Sequence, residues 1–250
     1  MLSAYNLYGI LLIAVPVLGS LTLHEYGHAR VALAFGDGTA RRNGRITLNP
    51  LAHLDPLGTI CFLFGPVGWA RPVPVDPTNL RPARTADVAV SLAGVGMNLL
   101  LILLAGAGLI VMSFAGVAVS TARSASATPA GIGAFMLAFT MQINCCLIVF
   151  NLIPLYPLDG HHVLREMLPA RHHAAFSEWQ HRFGRWALLG LILLPWLARR
   201  LGAGLRFDPI GWLLGFMVWD VMPTVLPADA AALAHDAWVQ YAPFLTYPAT

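Results

Sequence analysis

The sequence predicts an all-α, multi-pass membrane protein of about five to six transmembrane helices. Three observations predict it. Hydrophobic residues fill 57% of the 250 positions and charged residues only 11%. With a mean hydropathy of +0.67, that composition lies outside the soluble globular range. Apolar segments long enough to span a bilayer recur along the chain, and the joints between them are short and rich in Gly and Pro. The expected organisation is one membrane-embedded domain over 1–250. Its core occupies 7–168, a membrane-associated β region lies at 44–76, and an interfacial tail covers 228–250.

Taken in order, the first span is expected from Tyr5 to Phe35, with a bend at Pro16 and a stop at Gly36-Asp37-Gly38. The next stretch is rich in Pro, Gly and Arg. Arg45-Ile46-Thr47-Leu48 alternates polar and apolar side chains, as a half-buried strand does. Pro72 and Pro74 keep their run extended but exclude a central strand, since proline lacks the ladder donor. The expectation for 44–76 is a small β-sheet or hairpin at the membrane surface, or an element dipping into it. Leu57 to Val67 is apolar but too short to cross, which suits a re-entrant segment.

A second span is expected at Ala86–Val119; its start, Ser91 to Asn98, is rich in small residues that allow close helix approach. Ser120 to Ala130 reads as a loop and Gly131–Ile153 as a third span. Pro154 and Pro157 then prevent a continuous helix. Trp186–Leu197 is short for a span unless its helix begins near Ala174, and Ile210–Leu226 is a further apolar segment. Cys61, Cys145 and Cys146 sit in apolar stretches and read as buried small hydrophobes rather than a disulfide framework.

Charge sets orientation. All 15 basic residues are Arg, spread over loops, so they speak for membrane topology and not for nucleic-acid binding. Arg41, Arg42, Arg45, Arg71, Arg81 and Arg84 share one loop; Arg165, Arg171, Arg182 and Arg185 share another. The positive-inside rule makes both cytoplasmic and the N-terminus external, although Arg199, Arg200 and Arg206 fall on the wrong side. Arg30 is the first basic residue, so the first apolar segment lacks the basic region of a cleavable signal and is expected to be retained.

Inside that first apolar segment lies His24-Glu25-Tyr26-Gly27-His28. A glutamate at membrane depth normally marks function. Residues four apart share one helix face, so His24 and His28 can grip one Zn²⁺, with Glu25 placed to act as general base. With 9 His in the chain, the chance of such a pattern arising at random is on the order of 0.004. A catalytic zinc takes three protein ligands. Asp159 is the best third candidate, a carboxylate on a Pro-broken turn at the end of an apolar span. Pro157-Leu158-Asp159-Gly160 is equally readable as an ordinary turn.

The pairing of HEYGH with NLIPLYPLDG, residues 151–160, resembles the site-2 protease family of intramembrane zinc metalloproteases. GRITLNPLAHLDPLGT, WARPVPV and SLAGVGMN are also similar to that family, and the resemblance covers about residues 7–168. It implies Asp159 as third zinc ligand, one Zn²⁺ per chain, and Asn151 as a polar group beside the reacting carbonyl. It implies cleavage of a transmembrane protein substrate within the lipid bilayer of the cell membrane, with the active site toward the cytoplasmic face. The chain departs from the family at Gly94-Val95, where Gly-Pro is usual, and at His161-His162, where Gly-Arg is common.

Asn98, His53 and His161 are accessory candidates. His53 either lines the site or hydrogen-bonds Asp55, and His161 either tunes Asp159 or starts a helix. His172, His173 and His181 read as a solvated group. The tryptophans read as interfacial anchors. A helical substrate must unwind to be cut, and Arg45, Ile46, Thr47 and Leu48 offer an edge for it to pair with; Thr47→Pro would then reduce cleavage. Regulation falls to a membrane partner or to the substrate, and the oligomeric state is open. The alternative readings are a catalytically inactive zinc-binding membrane scaffold, which would not need Glu25, and a zinc transporter, which would need polar residues along several spans.

Overall fold

The computed structural model describes residues 7–59, 69–115 and 128–201, together with residues 212, 215 and 216. Among these the chain is mostly helical and holds no β-strand. Helix α1 spans Leu7–Ala34 and contains Pro16. It stops where expected, because Gly36 takes a φ of +101°, a left-handed conformation that glycine adopts at little cost. A short helix α2, Thr39–Arg42, follows.

The described part of the region 44–76, where a β element or a re-entrant element was expected, contains no strand. It holds a single antiparallel bridge, Leu54 to Ala70. Prolines at 50, 56, 72 and 74 remove ladder donors from the two arms. The arms are held instead by turns at Pro50–Ala52 and Pro77–Asn79, capped by the side chains of Asn49 and Asp76. The alternation at Arg45–Leu48 also runs opposite to a half-buried strand: Arg45 is buried and Leu48 is 60% exposed. Of the re-entrant stretch Leu57–Val67, residues 60–67 lie outside the described residues.

Helices α3, Ala83–Phe114, and α4, Pro129–Asn151, are the two among the described residues that are long and apolar enough to cross a membrane. At about 1.5 Å per residue both exceed a hydrocarbon core of about 30 Å. Leu99, Leu100, Leu103, Leu104, Val111 and Phe114 leave the outer face of α3 exposed and apolar. The expected end of this span at Val119, and most of the loop after it, lie outside the described residues.

Beyond α4 come α5, Asp159–Met167, and α6, His173–Trp179. A wider π turn over Gln180–Gly184 leads into α7, Arg185–Arg200. The helical path is unbroken from His173, so the apolar segment at 186–197 does begin its helix near Ala174. Apart from Trp212, Gly215 and Phe216, the segment 210–226 and the whole tail lie outside the described residues.

α1, α3 and α4 pack together around Leu12, Val17, Leu109, Phe135, Phe139 and Cys145. Close approach comes from small residues. A Cβ on Gly27 would sit 2.7 Å from Met97 Cγ and 2.9 Å from Ala93 O, so α1 and α3 nearly touch at backbone level. Cys145 and Cys146 are buried free thiols, as expected; Cys61 lies outside the described residues.

Candidate metal centre

The α1–α3 contact sets the site. His24 and His28 stand one turn apart on α1, both buried, with Nε2 atoms 3.0 Å apart. Asp159, in the first turn of α5, brings Oδ2 to 3.3 Å from His24 Nε2 and 3.4 Å from His28 Nε2. The candidate ligand atoms of these three residues all lie within 4.8 Å of one another, the one such group among the described residues.

The arrangement fits a metal on its own terms. A tetrahedral zinc site with bonds of about 2.0–2.1 Å has ligand–ligand edges of about 3.3–3.4 Å, close to the three separations found. Asp159 Oδ2 is buried and accepts no hydrogen bond, an orphaned oxygen that a cation would satisfy. His28 Nδ1 donates to Val90 O at 2.7 Å, which leaves its Nε2 lone pair directed at the cluster.

Gly94 makes room for the pair. A Cβ there would lie 2.5 Å from both His24 Cε1 and His28 Nε2, so α3 can press against the imidazoles only with glycine at this position. Asn98, one turn further on, is fully buried with Nδ2 3.1 Å from His24 Nδ1. Glu25, next to His24 on α1, has its Oε2 accepting the Val73 N–H at 2.8 Å. The extended run between Trp69 and Val75 therefore passes directly against this carboxylate.

Asp159 is itself positioned from two directions. Gly160 packs so closely on the α4 terminus that a Cβ would meet Leu152 O at 2.4 Å. The buried Gln180 spans the Pro-broken loop, accepting from Tyr156 N at 2.9 Å and donating to Pro154 O at 2.8 Å. On the far side of α5, Arg165 Nη2 bonds Asp87 of α3 at 2.9 Å and Glu166 Oε1 at 2.9 Å. Arg84 reaches Glu166 O and Oε2.

The remaining candidates are placed as follows. Asn151 ends α4, and its Nδ2 donates to Leu147 O at 3.0 Å. His161 is buried in the first turn of α5 with Nδ1 2.6 Å from Leu158 O. Burial, and then the neighbouring His162, push its imidazole down to about 4, so it is neutral. It is not part of the metal cluster. The expected His53–Asp55 bond is absent. His53 Nε2 donates to Thr47 O at 2.9 Å, while Asp55 Oδ1 accepts from Gly58 N at 2.8 Å. Arg45 lies beside His53 and donates to Arg71 O at 2.6 Å. Both residues therefore brace the 44–76 loop. Of the three outer histidines, His181 packs at a tilt against Tyr156, with ring centroids 4.6 Å apart.

Four supports were not evident in the sequence: Val73 on Glu25, Gln180 on the 154–156 loop, the Asp87–Arg165–Glu166 group, and Asp37. Asp37 is wholly buried after α1. Its oxygens accept from Thr39 N, Thr39 Oγ1, Asn79 Nδ2 and Asp76 N. Burial would raise its carboxyl, but these hydrogen bonds hold it below the ordinary value.

A buried helix-borne His pair with a carboxylate partner and an adjacent glutamate defines a metallohydrolase. The comparisons agree. The family model for peptidase family M50 matches residues 12–194. YwhC of Bacillus subtilis (strain 168), named provisionally as a zinc metalloprotease, is 41% identical over 157 residues, covering 63% of this chain and 69% of that protein. Rip2 of Mycolicibacterium smegmatis, named in the same way, is 29% identical over 212 residues, covering 82% and 74%. Rip2 of Mycobacterium tuberculosis (strain H37Rv) is 30% identical over 213 residues, covering 81% and 70%. No solved structure matches the chain. The chain belongs to peptidase family M50, the site-2 protease family. It is a zinc metalloprotease of the intramembrane class.

Proposed function

We propose that the chain holds one Zn²⁺ on His24, His28 and Asp159 and hydrolyses peptide bonds within transmembrane segments of other proteins. The convergence of those three side chains from α1 and α5, with Glu25 adjoining, carries this reading. When bound, the metal supplies a Lewis acid that polarises a carbonyl and makes water acidic near neutral pH.

The chain's own residues do the rest. Glu25 takes the proton of the attacking water and returns it to the leaving amine. The Val73 N–H fixes the carboxylate between those two tasks. Asn151, at the α4 terminus, serves as a donor to the developing oxyanion. Ile46, Thr47 and Leu48 offer backbone N–H groups that take part in none of the hydrogen bonds among the described residues. That supports pairing of an unwound substrate along Arg45–Leu48.

α1, the first span, crosses the membrane beside α3 and α4, with the polar end of the bundle toward the cytoplasm. The Asp87–Arg165 and Arg84–Glu166 contacts support this reading, since they bring the two Arg-rich loops to one end of the molecule. A hollow of about 300 Å³, lined by Asn43, Arg45, Arg71, Pro72 and Pro74, flanks Val73 on the same loop and provides an approach for water.

The test is Glu25→Gln in purified, zinc-loaded protein. Gln keeps an acceptor for Val73 N–H but cannot take a proton. Zinc content should stay equal to wild type and cleavage of a single-span substrate should fall by at least about 10²–10⁴-fold. Undiminished cleavage would refute the assignment. Zinc binding without cleavage by either form would favour the scaffold reading.

A further inference from the structure

A histidine that binds metal through Nε2 must present a lone pair there, and its Nδ1 must carry the proton and donate it. For His28 the partner is evident: a carbonyl can only accept, and Val90 O lies 2.7 Å from Nδ1. For His24 the partner is the side-chain amide of Asn98, 3.1 Å from Nδ1. The amide has two orientations of nearly identical shape. With Nδ2 toward His24, the imidazole must accept at Nδ1 and carry its proton on Nε2, facing the cluster. Asn98 Oδ1 is then buried with no partner, in a side chain with no solvent exposure, at a cost of about 1–3 kcal/mol. Exchanging the two ends lets Oδ1 accept the Nδ1–H of His24 and frees the Nε2 lone pair; Nδ2 then takes the position without a partner, so the tautomer that Nε2 ligation requires, and not the count of unmet groups, decides the orientation.

We infer that Asn98 is a positioning residue: its side-chain oxygen accepts the Nδ1–H of His24 and thereby fixes that histidine as an Nε2 ligand. Val90, Gly94 and Asn98 are spaced by four on α3, so one helical stripe organises the whole pair. Val90 O orients His28, Asn98 orients His24, and Gly94 between them provides the space for both rings. The antiparallel run of α1 puts 24 opposite 98 and 28 opposite 90.

The inference rests on the zinc assignment of His24, and the experiment separates the two. Zinc affinity of the purified full chain is measured by chelator competition for wild type, Asn98→Asp and Asn98→Leu. Asp offers only acceptor oxygens toward His24; Leu fills similar volume and offers none. The expected result is zinc affinity within a few-fold of wild type for Asn98→Asp and a loss of about 10–100-fold for Asn98→Leu. Equal weakening of both, or of neither, would overturn the role of Asn98 while leaving the zinc site standing. Wild type that binds no zinc would instead overturn the site itself. Should the buried charge prevent folding of Asn98→Asp, Asn98→Ser keeps an uncharged oxygen acceptor and must retain more affinity than Asn98→Leu; failure to do so counts against the inference.

Discussion

The bundle has two ends built by different rules. At one end Leu12, Val17, Leu109, Phe135 and Phe139 fill the space between α1, α3 and α4 with apolar side chains. At the other end Asp37, Asp87, Asn98, His24, His28 and Glu166 are buried or nearly so, and nearly every one has a named partner. Apolar contacts are non-directional, so the first end needs only the right volume. Buried polar groups have one acceptable geometry each, because an unmet donor or acceptor inside costs more than the bond contributes. The polar end is therefore the part that fixes where α5 and the segment at 69–75 sit relative to α1, and so where Asp159 and Val73 reach His24, His28 and Glu25.

That contrast can be broken by substitution. The largest effect should come from Gly94→Ala. Its Cβ would fall within 2.5 Å of both imidazoles, and overpacking of this kind costs about 1–3 kcal/mol. If the strain is relieved by displacing the rings, zinc affinity should drop about 10–100-fold while helix content stays constant by circular dichroism. Unchanged affinity would mean that α3 yields more readily than its packing suggests.

A smaller effect is expected from Asp37→Asn, which turns an amide donor toward N–H groups that Asp37 now accepts. Thermal unfolding in detergent should register a loss of about 1 kcal/mol near neutral pH. The sign with pH follows from the lowered carboxyl. The stabilisation is fully present above the unfolded value of about 3.9 and is lost as pH falls through the lower folded value. The margin between wild type and Asp37→Asn should therefore hold at pH 6–8 and shrink only in acid below about pH 4. A margin that shrank on raising the pH would contradict the account.

The smallest effect should come from the apolar end. Met141→Leu conserves volume in a buried site and should cost less than about 1.5 kcal/mol, with zinc affinity unaltered in the same competition assay. A loss as large as that of Gly94→Ala would erase the distinction between the two ends.

The same contrast explains what could be read in advance. The apolar end is periodic and local, so α1, α3 and α4 were legible from hydropathy, and the Gly36 stop from its turn chemistry. HEYGH was legible because two ligands four residues apart share one helix face, with a glutamate beside them; Asp159 was legible only through the resemblance that pairs HEYGH with NLIPLYPLDG, since Pro157-Leu158-Asp159-Gly160 reads equally as a turn. The supports were not legible because they are long-range. Arg165 meets Asp87 across 78 residues and Val73 meets Glu25 across 48, and no local pattern announces either pairing. Arg45 misled for a related reason. It alternates with apolar neighbours like a solvent-facing residue, yet its guanidinium turns inward to Arg71 O, where the prolines leave that loop short of backbone donors. Gln180 reaches the Pro154–Tyr156 loop across 26 residues from within a π turn, which no local pattern announces either.

The central claim is that His24, His28 and Asp159 share one cation. X-ray absorption at the zinc edge of the purified, zinc-loaded chain tests it directly. Nitrogen and oxygen neighbours are expected at about 2.0–2.2 Å, with multiple scattering from two imidazoles and no sulfur at about 2.3 Å, and a changed spectrum or lost zinc in Asp159→Asn. A sulfur shell, fewer than two imidazoles, or an identical spectrum in the Asp159 variant would contradict it.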